Sequence, residues 1–313
     1  MLREPAGSGP SAVTVWAPAK VNLFLEDIGK RADGYHELRT LMVAVSLYDT
    51  LTFTLAPSGS IRLSCPGVNL STGPENLIVR AADHLRRQAG LRGKAGGSLG
   101  ADVVLTKRIP LAAGLAGGST DAAATLVGLN RLWGLGLGRE QLAALAADLG
   151  SDVAFFLNPP CAWCTGRGEV VEGWPLGVRL HLVLVAPPFG LSTAEVYRAL
   201  DASPTTLTLP HEGGGEKSGD EMKLAVRGGD VAAIGRLLHN RLQEPAERLR
   251  PELAEWLAGL KSLGPAGCLM SGSGSTLFAL CRDRREAAQL AREFRAGLPN
   301  DSGVRVFVVR SCV

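Results

Sequence analysis

No part of this chain approaches the roughly 18 consecutive apolar residues that a membrane-spanning helix needs, and no membrane partner is expected. The opening residues, Met1 to Ser11, are polar and rich in glycine and proline. They lack the apolar core of a secretory signal, so they read as a loose tail on a cytoplasmic protein. Charge of one sign is also scarce: the formal net charge is +3 over 313 residues. A nucleic-acid-binding surface calls for Lys and Arg clustered on one face, and no such cluster stands out, so no nucleic-acid partner is expected. Six cysteines are scattered along the chain. Cys161 and Cys164 form a C-x-x-C without a second pair or histidines at ligand spacing, which argues against zinc. Their segment reads as a strand, where residues three apart face opposite ways, so they read as structural cysteines.

What is present fits a globular chain. Apolar residues make up 46% and charged residues 20%, a balance that excludes disorder. The length suffices for one large domain or two modest ones. Apolar alternation at Val13 and Val15, at Val21, Leu23 and Leu25, and at Leu51, Phe53 and Leu55 predicts strands. Ile61 with Leu63, then Val103 to Leu105, predict two more, and Glu75–Gln88 switches to helical spacing. Helices are also predicted from about Ser119 to Leu132, over Glu140–Leu149, and starting again at Ser151. Further on, Leu180–Val185 reads as a strand, and Ser192-Thr193-Ala194-Glu195 matches a capping box opening a helix through Tyr197 to Leu200. Ala202–Asp220, rich in Pro, Gly and Thr, reads as an exposed loop. Helices near Asp230–Asn240, Pro251–Leu263 and Arg285–Leu298 and strands at Cys268–Met270, Leu277–Leu280 and Val304–Val309 complete the pattern. Strands and helices mix without regular βαβ alternation, which favours α+β. A boundary near residue 166 divides the chain into 1–166 and 167–313.

The most informative stretch is Pro110-Leu111-Ala112-Ala113-Gly114-Leu115-Ala116-Gly117-Gly118-Ser119-Thr120, followed by Asp121 and three alanines. Glycines let a backbone turn sharply and approach a ligand closely. A glycine loop opening a helix aims N–H groups and the positive dipole end at one spot, which suits phosphate. It is not a Walker A loop, because no Gly-Lys-Ser/Thr closes it. Nor is it a dinucleotide fingerprint, because the acids about 20 residues on, Glu140 and Asp148, lie on a predicted helix. A purely structural glycine turn is the alternative.

Three stretches in order resemble the motifs of the GHMP kinases (galactose, homoserine, mevalonate and phosphomevalonate kinases). They are Ala17-Pro18-Ala19-Lys20-Val21-Asn22-Leu23, the loop from Pro110 to Ala124, and Leu269-Met270-Ser271-Gly272-Ser273-Gly274-Ser275-Thr276-Leu277-Phe278. The loop departs from the family at Ala116, where glycine is frequent, and at Thr120, which keeps serine's hydroxyl. The resemblance implies ATP bound by Pro110 through Thr120, with Mg²⁺ to neutralise its phosphates. It implies an α+β, two-domain GHMP kinase fold, with an N-terminal domain like ribosomal protein S5 and a ferredoxin-like C-terminal domain. No carboxylate pair in the sequence identifies the metal's ligand.

Asp152, in Gly150-Ser151-Asp152-Val153, sits at a predicted helix start, where a carboxylate is stabilised as the anion. Alone it reads as a helix cap. The resemblance implies the catalytic base, with Lys20 expected to approach it. Asn22, two residues on, faces the same side of the strand and is a substrate candidate. The run Arg31-Ala32-Asp33-Gly34-Tyr35-His36 is similar to the branch of the family that phosphorylates a cytidyl substrate, the diphosphocytidyl-methylerythritol kinases. The resemblance implies that Tyr35 stacks on cytosine and that His36 reads its edge through ring or backbone. Tyr197 would supply the second aromatic and Thr193 would line the pocket. His84, His181, His211 and His239 match no motif. The alternatives are another GHMP small-molecule kinase of homoserine or mevalonate type, a non-catalytic sensor, which would tend to lose Lys20 or Asp152, and an RNA-binding module suggested by the S5-like architecture alone. A monomer or weak homodimer is expected.

Overall fold

Alternating valines and leucines draw the N-terminal chain into two long strands, β1 (Ala12–Lys30) and β2 (His36–Leu55). The computed structural model describes residues 11–90, 99–158, 160–202 and 215–312. Most of the tail and most of the Ala202–Asp220 loop therefore lie outside the described residues, as does His211. The chain divides into two compact units, and both long strands run from one into the other. The first unit takes residues up to Pro18, Tyr48–Ile109 and Gly117–Leu157; the second takes Ala19–Leu47, Pro110–Ala116 and everything from Asn158 on.

In the first unit, the end of β2 pairs with two further strands, β3 (Ile61–Ser64) and β4 (Ala101–Thr106), in one ladder. β4 runs antiparallel to β2, from Thr50 opposite Thr106 to Leu55 opposite Ala101, and parallel to β3. Three helices accompany them: α1 (Leu77–Gln88), α2 (Gly117–Leu132) and α3 (Arg139–Leu149). The Asn76 side chain caps α1 by accepting from the Ile78 N–H at 2.9 Å. Residues 120–126 of α2 are all buried. A helix enclosed on every side cannot be amphipathic, which explains the alanines and threonines there. At Gly128 the Phe53 ring takes the space a side chain would need, so the helix lies flush on β2.

The helix expected from Ser151 does not form. Ser151 to Val153 make a turn, and Ala154–Leu157 is a single 3-10 turn. Two prolines follow at 159 and 160, and a residue before proline is pushed out of helical geometry, so nothing longer can grow. Asp152 therefore lies in the turn between α3 and this short element, not at the head of an α-helix.

The second unit holds the rest of β1 and β2, with β5 (Cys161–Thr165) antiparallel to β2 and β6 (Val170–Gly173) antiparallel to β5. Cys161 and Cys164 are both buried, and burial pushes the Cys161 thiol up to about 12, which keeps it protonated and inert. A four-stranded antiparallel sheet follows, built from β7 (His181–Ala186), β9 (Gly267–Met270), β10 (Leu277–Cys281) and β11 (Arg305–Arg310) in the order β11-β7-β10-β9. Between β7 and β9 lie α4 (Thr193–Asp201), α5 (Gly215–Gly228), α6 (Val231–Leu237), the two-residue β8 (His239–Asn240), α7 (Gln243–Leu249) and α8 (Glu252–Ser262). Helix α9 (Arg284–Ala296) joins β10 to β11. Val183, Val185, Leu257, Leu260, Leu277, Ala279, Leu290 and Phe294 form one core between sheet and helices.

Two expectations change here. Helix α5 starts at Gly215, inside the stretch read as loop. Ser192 caps α4 by position, but its side chain makes no capping bond.

Candidate active site

Four consecutive carbonyls of the loop after Pro110 are taken up by protein donors, all within the second unit. Ala112 O accepts from Leu191 N–H at 3.1 Å, and Ala113 O from Thr276 N–H at 3.1 Å. Gly114 O accepts from Ser271 Oγ at 3.0 Å, and Leu115 O from Lys20 N–H at 3.2 Å. The loop's acceptors are thus turned into the scaffold. Its backbone departs from ordinary geometry at three residues: Ala112 (φ 49°), Gly114 (φ 73°) and Ala116 (φ 54°). Gly114 is obligatory on two counts, since a Cβ there would strike Ser271 O and lie 3.0 Å from Gly274 N. Ala116 sits in the left-handed region that glycine tolerates and alanine enters at a cost of about 1–2 kcal/mol.

The three sequence motifs meet at this point. A Cβ on Gly272 would lie 3.1 Å from Gly114 O, 3.2 Å from Lys20 Nζ and 3.5 Å from Asn22 Oδ1. Lys20 and Asn22, on the same side of β1, are buried and joined: Lys20 Nζ donates to Asn22 Oδ1 at 2.6 Å. Asn22 Nδ2 donates to Thr40 Oγ1 at 2.8 Å, and Thr40 donates to Phe24 O at 2.6 Å. Asn22 is thereby oriented by a chain of bonds that fixes where its amide oxygen points. Asn240 secures the third motif, its Nδ2 donating to Met270 O and Gly272 O, both at 2.8 Å. Thr193 Oγ1 lies 2.8 Å from Ser273 Oγ in the same motif.

The loop's continuation, Gly117 to Thr120, forms the first turn of α2 in the first unit. A Cβ on Gly117 would lie 3.0 Å from Lys107 Nζ. Lys107 is buried and donates to Asp49 Oδ2 at 2.6 Å and Asp121 Oδ2 at 2.5 Å. Burial pulls the Lys107 ammonium's pKa down, but the two carboxylates outweigh it and the net shift is upward. Asp121 is raised to about 7, first by burial and then by the like charge of Asp49, against the lowering effect of Lys107. Asp152 belongs to this unit and Lys20 to the other.

The segment around Tyr35 and His36 lies in the second unit. Gly34 turns with φ 85°, and Asp33 Oδ1 accepts the Tyr35 N–H at 3.1 Å. Both ring nitrogens of His36 face carboxylates: Nδ1 lies 2.9 Å from Asp27 Oδ2, and Nε2 lies 3.3 Å from Asp201 Oδ1. The Tyr197 ring lies 4.6 Å from the His36 ring, so the structure brings these two predicted residues together. Tyr35 is half-exposed, with the Arg167 guanidinium 4.6 Å over its ring.

Comparison with known proteins agrees with this geometry. The GHMP kinase N-terminal domain family matches residues 76–158, and the GHMP kinase C-terminal family matches residues 222–300. A 4-diphosphocytidyl-2-C-methyl-D-erythritol kinase of Pelotomaculum thermopropionicum is 43% identical over 283 residues, covering 90% of this chain and 94% of the relative. This chain belongs to the 4-diphosphocytidyl-2-C-methyl-D-erythritol kinase family. A crystal structure of a kinase of that name superposes with a TM-score of 0.74 at 36% identity, over 96% of this chain and all of the other. A homoserine kinase from Cytophaga hutchinsonii superposes with a TM-score of 0.79 at 19% identity, over 99% of this chain and 98% of that one. Backbone likeness is thus greater to the more distant sequence, which shows the shared fold and leaves function to the site residues.

For a kinase of this family, Mg²⁺ is the implied companion of ATP. Magnesium is usually held by one or two carboxylates together with substrate phosphates. Among the described residues, no three His, Cys, Asp or Glu come together to hold a metal. The carboxylate in the first turns of α2, Asp121, is committed to the Lys107 ammonium, which opposes a cation.

Sequence reading missed Thr40, Asn240, Asp27, Asp201 and the Asp49–Lys107–Asp121 cluster. Apart from Asp121, which lies within the glycine-loop motif, none belongs to a motif, and each is recognised only by what folding places beside it. A lysine between the end of β4 and the glycine loop was the one available signal.

Two measurements follow from this geometry. Ala116→Gly relieves the left-handed strain but restores glycine's unfolded-state freedom; strain relief is the larger, so urea unfolding will show a stability gain of about 0.5–1 kcal/mol, and a loss means Ala116 is unstrained. For Asp121, a folded pKa near 7 lies above the unfolded carboxyl value of about 3.9. The folded state then holds a proton that the unfolded state has released, so this group's stabilising contribution is full below about pH 4 and is lost as pH rises to about 7. Asp121→Asn removes that dependence. The variant's stability relative to wild type will rise across this window by on the order of a few kcal/mol, whereas parallel pH profiles mean that Asp121 is ionised throughout.

Proposed function

We propose that this chain transfers the γ-phosphoryl group of ATP to the 2-hydroxyl of 4-diphosphocytidyl-2-C-methyl-D-erythritol, as a cytoplasmic enzyme of the non-mevalonate isoprenoid pathway. The observation that carries the reading is 43% identity with a kinase of that name over nine-tenths of both chains. Relatives at this level include a kinase of the same name in Syntrophotalea carbinolica, 40% identical over 94% of this chain.

Phosphoryl transfer asks a protein for positioning and charge stabilisation more than for covalent chemistry. In this reading Pro110 through Thr120 hold the ATP phosphates, the first turn of α2 supplying N–H groups and the positive dipole end. Lys20 sets a positive charge beside the transferred group, and Asn22, fixed by Thr40, hydrogen-bonds the acceptor. Asp152 takes the proton of the 2-hydroxyl as that oxygen bonds to the γ-phosphorus and the bond to ADP breaks. ADP and the 2-phosphate product then leave. Mg²⁺ neutralises phosphate charge when bound, and no step assigned to the protein depends on its ligands.

Tyr35 and Tyr197 provide aromatic surface for cytosine, with Thr193 lining the pocket. A π face cannot separate cytosine from uracil, so discrimination belongs to hydrogen bonds at the base edge. With both ring nitrogens of His36 facing carboxylates, that reading falls to the His36 backbone, and Asp27 and Asp201 hold the ring still. Arg167, over Tyr35, supports the stacking ring from its other face.

The chemical assignment is tested at Asp152. Asp152→Asn is nearly isosteric but no longer accepts a proton as a base, so kcat will fall about 100-fold or more while ATP affinity changes little. Near-normal kcat would reduce Asp152 to a turn residue.

A further inference from the structure

Within the first unit, three ionisable side chains are joined out of reach of solvent. The side chains of Asp49, Lys107 and Asp121 are 0%, 3% and 3% exposed. Removing charges from water is costly, and apolar residues of similar volume generally serve a core as well or better. The cluster's presence therefore needs a reason beyond packing.

Its connections supply one. Asp49 Oδ1 accepts the N–H groups of Arg108 at 2.5 Å and Ile109 at 2.9 Å, the two residues that lead into Pro110. Asp49 Oδ2 accepts from Lys107, which also donates to Asp121 in the early turns of α2. One ammonium thus ties the strand end before the glycine loop to the helix start after it. The tie passes directly behind Gly117, where a Cβ would lie 3.0 Å from both Lys107 Nζ and Ile109 Cγ2. Beside it, Thr120 Oγ1 and Asp121 Oδ1 are buried oxygens with no hydrogen-bond partner among the described residues. Thr120 is 1% exposed, and a buried hydroxyl left unbonded is costly, which marks the first turn of α2 as shaped for a polar ligand.

We propose that Asp49, Lys107 and Asp121 are positioning residues for nucleotide binding, a buried three-group link that fixes the first turn of α2 so that its N–H groups meet phosphate already in place. This rests on the reading of Pro110–Thr120 as the phosphate loop. Donors held by such a link pay no ordering cost when the anion arrives, and binding groups must be fixed to within roughly 0.5 Å to be effective. The link acts through α2 and makes no contact with the transferred group itself. Asp121 is the member that can be removed without stranding a charge, because Lys107 and Asp49 remain as a neutral pair.

The test is calorimetry with ADP and, separately, with CDP, on folded protein. Asp121→Ala severs the link to α2 while placing the best helix former at that position. ADP binding will weaken about 10-fold or more, and CDP binding will stay unchanged. Asp121→Asn keeps an oxygen that accepts from Lys107 and will regain most of the lost ADP affinity. A role in stability alone would give no such split between ligands and no such recovery. Should Asp121→Ala not fold, Asp121→Ser, too short to reach Lys107, carries the same comparison. ADP affinity equal to wild type in the severed variant overturns the proposal, as does equal weakening of ADP and CDP. Wild type that binds CDP but no ADP overturns the phosphate-loop reading, and this proposal with it.

Discussion

The space beside residue 114 belongs to another part of the backbone. Ser271 O and the Gly274 amide lie where a side chain at 114 would have to go, so two segments some 160 residues apart touch main chain to main chain. Everything else at this point follows from that approach. The loop can turn its carbonyls onto Leu191, Thr276, Ser271 and Lys20 only because no side chain holds it away. Gly272 can bring the third motif against Lys20 and Asn22 for the same reason. The strain at Ala112 and Ala116 is the cost of the path the loop must then follow, and it is held by four hydrogen bonds from the scaffold.

Polar groups in this protein are buried in sets, each with its partners supplied from different elements. Lys20, Asn22 and Thr40 form one chain of bonds ending on a backbone carbonyl. Asp49, Lys107 and Asp121 form another, and His36 with Asp27 and Asp201 a third that is only partly buried, Asp201 being exposed. Low local dielectric makes such sets rigid when satisfied and expensive when broken. Rigidity matters to a phosphoryl-transfer site, where the protein's contribution is mostly placement.

Much of this was legible in the chain before folding. The period-two runs gave the long strands, because a half-buried strand forces alternation, and the glycine loop announced a helix start. The three motifs indicated both fold and chemistry through their resemblance to those of the GHMP kinases. The misreadings have local causes. The helix expected at Ser151 is halted by the prolines at 159 and 160, and α7, with seven residues and a Pro245 in its first turn, is too short to show a period. Long-range partners were the least legible. Thr40, Asn240, Asp27 and Asp201 are ordinary polar residues in sequence and gain meaning only from neighbours brought in by the sheet and helix arrangement. Asp49 and Asp121 gave no sign of sharing one lysine.

The central claim is that these motifs assemble a kinase for a cytidyl alcohol rather than for another small alcohol on the same fold. Homoserine kinase shares the backbone, so the fold does not separate the readings, and turnover tests the one that sequence identity supports. The direct measurement is ADP release with 4-diphosphocytidyl-2-C-methyl-D-erythritol, homoserine, mevalonate or galactose as acceptor, each with ATP and Mg²⁺. The account predicts ADP release with the cytidyl acceptor and background rates with the other three. Turnover of homoserine, mevalonate or galactose, with none of the cytidyl compound, would contradict it.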